Sequence, residues 1–77
     1  MSTRFPVVTS KEIVRVLEKI GFVFVRQTGS SHAIYKHPAK NKRTVVPIHS
    51  GVSLKRRTLK AILKDAELDV EDLRKLL

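Results

Sequence analysis

Three histidines, His32, His37 and His49, are the side chains of this 77-residue chain best suited to move a proton near neutral pH. His32 follows a Gly29-Ser30-Ser31 turn, and His49 follows the run Val45-Val46-Pro47-Ile48. Between Arg26 and Lys64 every charged side chain is Lys or Arg. An imidazole that takes a hydroxyl proton, with cations beside it to receive charge on phosphate, is the equipment for opening a phosphodiester by attack of the adjacent ribose 2′-hydroxyl. On that logic His32 is the candidate base, and Arg26, Lys36 and Arg43 are candidate phosphate contacts. Ser30, with the Gly29 turn, offers hydroxyl and backbone donors. The group that protonates the leaving oxygen stays open between His49 and a lysine.

The charge balance points the same way. Sixteen Lys and Arg against seven Asp and Glu give a net charge of +9 with histidines neutral, which favours a polyanionic partner. The acids are confined to Glu12, Glu18 and the segment Asp65, Glu67, Asp69, Glu71 and Asp72, leaving a central block of one sign that suits phosphate. An anionic membrane could use such charge, but no basic amphipathic stretch carries an aromatic face, so RNA is expected and a membrane is not. The chain is long enough for one domain, residues 1–77, and its core is too modest for a deep pocket, so no organic cofactor is expected. With no cysteine there is no disulfide and no thiolate zinc site. Three imidazoles could bind zinc, yet strand alternation sends His32 and His37 to opposite faces and no carboxylate lies near them, so no metal site is expected. Met1-Ser2-Thr3-Arg4 lacks the apolar stretch of a signal peptide and no run reaches membrane-spanning length, which makes a cytoplasmic location the expectation.

The elements that must position these residues are well signalled. Thr9-Ser10-Lys11-Glu12 has the form of a capping box, Ile13, Val14, Leu17 and Ile20 recur at helical spacing, and Gly21 sits where a left-handed residue ends a helix. Phe22 to Thr28, His32 to His37 and Arg43 to Ile48 read as strands, the last at a sheet edge because Pro47 cannot donate to a ladder. A second helix follows Ser50-Gly51-Val52-Ser53, with Ser53 the expected cap and Leu59, Ile62, Leu63 and Ala66 its apolar stripe. Asp69 is placed to cap a short last helix carrying Leu73, Leu76 and Leu77. The order predicts an α+β fold, α-β-β-β-α, with a three-stranded antiparallel sheet packed on helices, like a double-stranded-RNA-binding domain.

Hairpin registers follow from the turns. A Pro38–Lys42 turn symmetric about residues 40 and 41 pairs Lys36 with Val45, Ile34 with Pro47 and His32 with His49. A first turn centred on Ser30 pairs Thr28 with His32 and Arg26 with Ile34. One face then carries Val23, Val25, Ala33, Tyr35, Val46 and Ile48, and the other Arg26, Thr28, His32, Lys36 and His49, with Phe24 and Ile34 among them. Opposed Cβ atoms lie about 5 Å apart, so His32 and His49 are expected as neighbours, whereas His37 is expected to be structural or solvent-facing.

Taken together, Gly29-Ser30-Ser31-His32, Tyr35 with His37-Pro38, Thr44-Val45-Val46-Pro47-Ile48-His49 and Leu59-Lys60-Ala61-Ile62-Leu63-Lys64 resemble the HicA family of mRNA interferases, the toxins of toxin–antitoxin pairs, over nearly the whole chain. The resemblance implies a double-stranded-RNA-binding-like fold, cleavage of mRNA by a catalytic histidine in the Gly-Ser-x-His turn (here His32), and neutralisation by a HicB-type antitoxin. That the cleavage is metal-independent is the expectation from the residues themselves. Two other readings remain beside it: a module of the same fold that grips RNA by shape without cutting it, and an inactive relative that persists as an antitoxin-binding partner.

Overall fold

The computed structural model describes residues 6–29 and 31–77; the candidate contact Ser30 lies outside the described residues. The elements run α1 (Ser10–Lys19), β1 (Val23–Thr28), β2 (His32–His37), β3 (Lys42–Pro47), α2 (Arg56–Ala66) and α3 (Val70–Leu76). The strands form an antiparallel sheet in the order β1-β2-β3. This is the expected α+β arrangement, with the short last helix in place.

Local chemistry accounts for the helix boundaries. Thr9 Oγ1 accepts from the Glu12 N–H at 3.2 Å, and Glu12 Oε1 accepts from the Thr9 N–H at 2.9 Å, a reciprocal cap of the kind that contributes about 1 kcal/mol. At the other end the Phe22 N–H reaches Leu17 O at 2.9 Å and the Gly21 N–H reaches Glu18 O at 3.1 Å. Gly21, at φ +103°, makes that reversal. A Cβ there would also sit 2.6 Å from His37 Nε2. Glycine is therefore required twice. Asp69 caps α3 by accepting from the Asp72 N–H at 2.7 Å.

The core lies between the helices and one face of the sheet. Ile13, Val16 and Leu17 of α1, Leu59, Ile62, Leu63 and Ala66 of α2, and Leu73 of α3 bury against Ala33 and Tyr35 of β2 and Val46 of β3. Burying each large aliphatic side chain is worth about 1.5–3 kcal/mol. Thr44, 1% exposed, satisfies its hydroxyl by donating to Asp65 Oδ2 at 3.0 Å, which also ties β3 to α2.

Three expectations are corrected. The β2–β3 register is displaced by two residues: His32 pairs with Pro47, Ile34 with Val45 and Lys36 with Arg43. The connection is the tight Pro38–Asn41 loop, closed by Asn41 at φ 53°, and β3 consequently starts at Lys42 and ends at Pro47 rather than running Arg43 to Ile48. A two-residue shift keeps every side chain on its expected face, but it places His49 beyond the ladder. In β1 the register shifts between Phe24 and Arg26, leaving Val25 as an extra residue. That bulge turns Phe24 to the side of Tyr35, with ring centroids 5.7 Å apart, and sends Val23 to the side of Lys36. Val23 and Val25 are half exposed rather than in the core.

The third correction concerns α2, which begins at Arg56 with Lys55 at the N-cap and no side-chain cap. Ser53, the expected cap, instead bridges to Thr9 as an isolated β-pair, and the Leu54 N–H donates to Val8 O at 2.8 Å. Backbone committed to pairing with the lead-in of α1 is extended, so the helix starts only after the chain has cleared that contact.

Candidate active site

A cleft of about 300 Å³ opens where the β2–β3 hairpin ends and the segment leading into α2 crosses it. His32 and Pro47, the last rung of the ladder, form one wall. His49, Val52, Ser53, Leu54, Lys55 and Thr58 form the rest, and among the described residues no carboxylate lines it. The two histidines are thus brought into one cleft, although not as the directly opposed pair expected from the turn. His49 is exposed, and His32 stands open to solvent at the start of its strand, which leaves both rings accessible to a substrate.

The placement of His49 depends on contacts distant in sequence. Pro47 has no N–H, but the Ile48 N–H continues the hairpin to Ser31 O at 2.6 Å. The chain then turns away, and the His49 backbone is held by Ser10. Ser10 Oγ accepts from the His49 N–H at 3.2 Å and donates to His49 O at 3.3 Å. Ser10 is 3% exposed, an unusual place for a serine on the first turn of a helix already capped by Thr9. Beside Thr9 it reads in the sequence as one more helix-capping serine, so nothing local signals its role.

The candidate cations share the face of the sheet that carries His32. Thr28 pairs with His32, Arg26 with Ile34 and Lys36 with Arg43, and Arg26, Lys36 and Arg43 are all exposed. They do not crowd the cleft. The Lys36–Arg43 rung is four residues from the His32–Pro47 rung, roughly 13 Å along the strands. The cation in the cleft wall is Lys55, a residue the sequence did not single out. Val23, Val25 and Val45 are also uncovered.

His37 belongs elsewhere. Its Nδ1 accepts from the Lys40 N–H at 3.1 Å, so it carries no proton there, and Nε2–H donates to Ile20 O at 2.9 Å. The ring also meets Phe22 edge-on, with centroids 5.3 Å apart. It is a structural pin between the β2–β3 loop and the end of α1. Among the described residues no group of three or more His, Cys, Asp and Glu is gathered to hold a metal ion, and no helix is long and apolar enough to cross a membrane.

Two groups away from the cleft have displaced titrations. Burial, helped by the Glu18 carboxylate, raises the Tyr35 phenol above its ordinary value. The hydrogen bond and charge of Lys42 lower the Glu67 carboxyl, its ion-pair partner.

The sequence profile of the family described as the HicA toxin of bacterial toxin–antitoxin matches residues 10–68, from the first residue of α1 to two beyond the end of α2. No curated protein matches the chain.

Proposed function

The chain belongs to the HicA toxin family, and from that premise we propose that it is an mRNA interferase: an endoribonuclease of the cytoplasm that cuts RNA without a metal, using His32 as general base. The observation that carries this reading is the shared cleft, lined by the exposed residues His32, His49 and Lys55, with no carboxylate among its described lining residues to compete for phosphate.

In the reaction, the neutral His32 ring takes the proton of a ribose 2′-hydroxyl as that oxygen attacks the adjacent phosphorus. The bond from phosphorus to the 5′-oxygen of the next nucleotide breaks, leaving a 2′,3′-cyclic phosphate. His49, across the cleft and fixed through its backbone by Ser10, is the group assigned to return a proton to the departing 5′-oxygen. Lys55 faces the phosphate, where negative charge accumulates in the transition state. Arg26, Lys36 and Arg43 supply the longer-range field on the same face, and Ser30, outside the described residues, stays in the proposal as a hydroxyl donor on the sequence alone. A site of this kind needs no cofactor, because proton transfer and charge stabilisation come from side chains.

A toxin of a toxin–antitoxin pair implies an antitoxin. The partner proposed is a HicB-type protein whose acidic surface covers the cleft and the cationic sheet face, since opposite potentials give such a pair its encounter rate and register.

The test is end-mapping of a defined RNA incubated with the purified protein and with His32→Ala, in excess chelator. Cleavage by the wild type that leaves cyclic phosphate ends, reduced about 10²–10⁴-fold in the variant, is the expected result. Cleavage that vanishes with chelator refutes the metal-free scheme, and unchanged cleavage by His32→Ala refutes the assigned base. RNA that the wild type binds and leaves intact would make this a binding module.

A further inference from the structure

A second concavity, about 520 Å³, runs between the outer edge of β3 and α2. Arg43 and Val45 of β3 and Arg57, Thr58 and Ala61 of α2 line it, with Asp65 at one end. Thr58 lines this groove and the histidine cleft alike. The two cavities therefore meet at one side chain. They adjoin at the start of α2 and together outline a candidate trough.

The contents of the trough select its occupant. Arg43 and Arg57 are both exposed, and neither is in an ion pair among the described residues. Asp65, the one acid among the described residues of the lining, is already accepting the Thr44 hydroxyl at 3.0 Å. Two such guanidiniums above a floor that includes Val45 and Ala61 offer bidentate donors to phosphate oxygens and an apolar surface to the face of a base. The strand carrying Arg43 ends at Pro47, in the wall of the histidine cleft. Arg43 to Pro47 spans roughly 13 Å of extended chain, the reach of a few nucleotides. A paired duplex is a rod too broad to enter cavities of this size, whereas a single strand fits along them.

We propose that the β3–α2 groove is the binding track for single-stranded RNA flanking the cut, with Arg57 and Arg43 holding successive backbone phosphates and Thr58 marking the passage into the histidine cleft. The assignment rests on the nuclease reading for what the strand is held against, but not for the binding itself. It makes Arg57, a residue no motif singled out, a determinant of substrate length. Short RNAs occupy only the cleft, and longer ones gain the track.

The experiment measures binding by fluorescence anisotropy in the His32→Ala background, where the RNA stays whole, using labelled single strands of three and ten nucleotides and a ten-base-pair RNA duplex. Arg57→Ala is compared with Arg57→Lys and with Arg15→Ala, an exposed arginine on α1 outside the trough. The expected result is a loss of about tenfold for the ten-nucleotide strand at low salt in Arg57→Ala. The slope of log affinity against log salt should become shallower by about 0.7, the share of one neutralised phosphate on a single strand. The three-nucleotide strand and the Arg15→Ala protein should show no such change, and Arg57→Lys should keep most of the affinity. Equal losses on both strand lengths, an equal loss in Arg15→Ala, or duplex binding as tight and as sensitive to Arg57 as the single strand would overturn the proposal. Because cleavage is not the readout, a length-dependent effect of Arg57 supports the track even if the wild type proves to cut nothing, and its absence removes the track while leaving the role of His32 untouched.

Discussion

Replacing Ser10 with alanine removes a hydroxyl that touches no substrate, yet it should damage the proposed chemistry. Ser10 Oγ makes two hydrogen bonds to the His49 backbone, at 3.2 and 3.3 Å, from a position 3% exposed. A typical intramolecular hydrogen bond contributes about 1 kcal/mol net. The His49 carbonyl keeps the Val52 N–H at 3.3 Å, and His49 is at the surface, where water can reach the freed groups. The loss should therefore be about 2 kcal/mol rather than the larger cost of orphaning buried atoms. In a domain of this size that lowers Tm by roughly 8–16 °C. Cleavage should fall further than unfolding explains, because the imidazole of His49 is no longer delivered to one place and a misplaced catalytic group can cost about 100-fold. His37→Ala is the control: it too loses two hydrogen bonds, at 2.9 and 3.1 Å, but at the far end of β2. The assays are thermal unfolding and the initial cleavage rate per folded molecule, with the Ser10→Ala/His49→Ala double variant closing a cycle. In cleavage rate Ser10→Ala should cost little more once the His49 imidazole is gone, while its cost in stability, which comes from backbone bonds, should persist. If Ser10→Ala and His37→Ala lower the rate equally, or if the double variant shows full additivity in rate, Ser10 is merely structural and the assignment of His49 fails with it.

Other outcomes follow from single contacts. Gly21→Ala places a Cβ 2.6 Å from His37 Nε2 at a residue with φ +103°, so it should cost about 2 kcal/mol or more in urea unfolding. Thr44→Val exchanges a buried hydroxyl for a methyl and frees Asp65, which is exposed and can rehydrate; a loss of about 1 kcal/mol is expected from the same measurement. Tyr35 is the only tyrosine and there is no tryptophan, so its ionisation can be followed alone by ultraviolet absorbance. Its phenol is raised above the ordinary 10.0 by burial and by Glu18. Above about pH 10 the unfolded chain therefore loses a proton that the folded chain keeps. Stability should fall as pH rises through that range, and Tyr35→Phe should flatten the fall; identical alkaline profiles for the two proteins would contradict this.

Much of the architecture was written locally. The Thr9–Glu12 and Asp69–Asp72 caps, the reversal at Gly21 and the stripe of α2 each depend on residues within a turn or two, and each formed as read. In α1 the buried stripe is Ile13, Val16 and Leu17, with Val14 and Ile20 only partly buried, and Leu77 is exposed beyond α3. Side-chain parity in β2 and β3 also survived, because alternation depends only on the strand being extended. What failed depended on distant contacts or on one residue of slack. Val25 carries no glycine or proline to announce a bulge, so β1 read as regular, and Val23 and Phe24 were assigned to each other's faces. The Pro38–Asn41 loop admitted two registers of the same parity, and the choice fell to Asn41 at φ 53° and to the Lys40 N–H bonding His37. The start of α2 was decided by Val8 and Thr9, more than forty residues away. For the candidate site, the histidines and the shared cationic face were legible, but Lys55 and Ser10 were not. Neither has a local pattern that distinguishes it from a surface lysine or a helix-capping serine.

The open face of the sheet and the position of the cleft have a common origin. The helices all pack on the face carrying Ala33, Tyr35 and Val46, so the opposite face is left with His32, Lys36, Arg26 and Arg43 in solvent. Three strands bury too little to need a second layer, and the half-exposed Val23 and Val25 and the partly exposed Val45 are the residue of that economy. Both cavities are open to solvent, so on the proposed reading the RNA is held on a surface, by charge and by the shallow trough beside α2. The same one-sided packing leaves β1 as an outer edge of the sheet with valines beside it, the kind of surface that invites pairing with another strand. An antitoxin that adds a strand to β1 would cover the valines and stop there, one strand away from β3. To silence the cleft it must also cross the sheet to His32, and the Arg26 and Lys36 side chains it would pass over favour a carboxylate-bearing segment for that crossing.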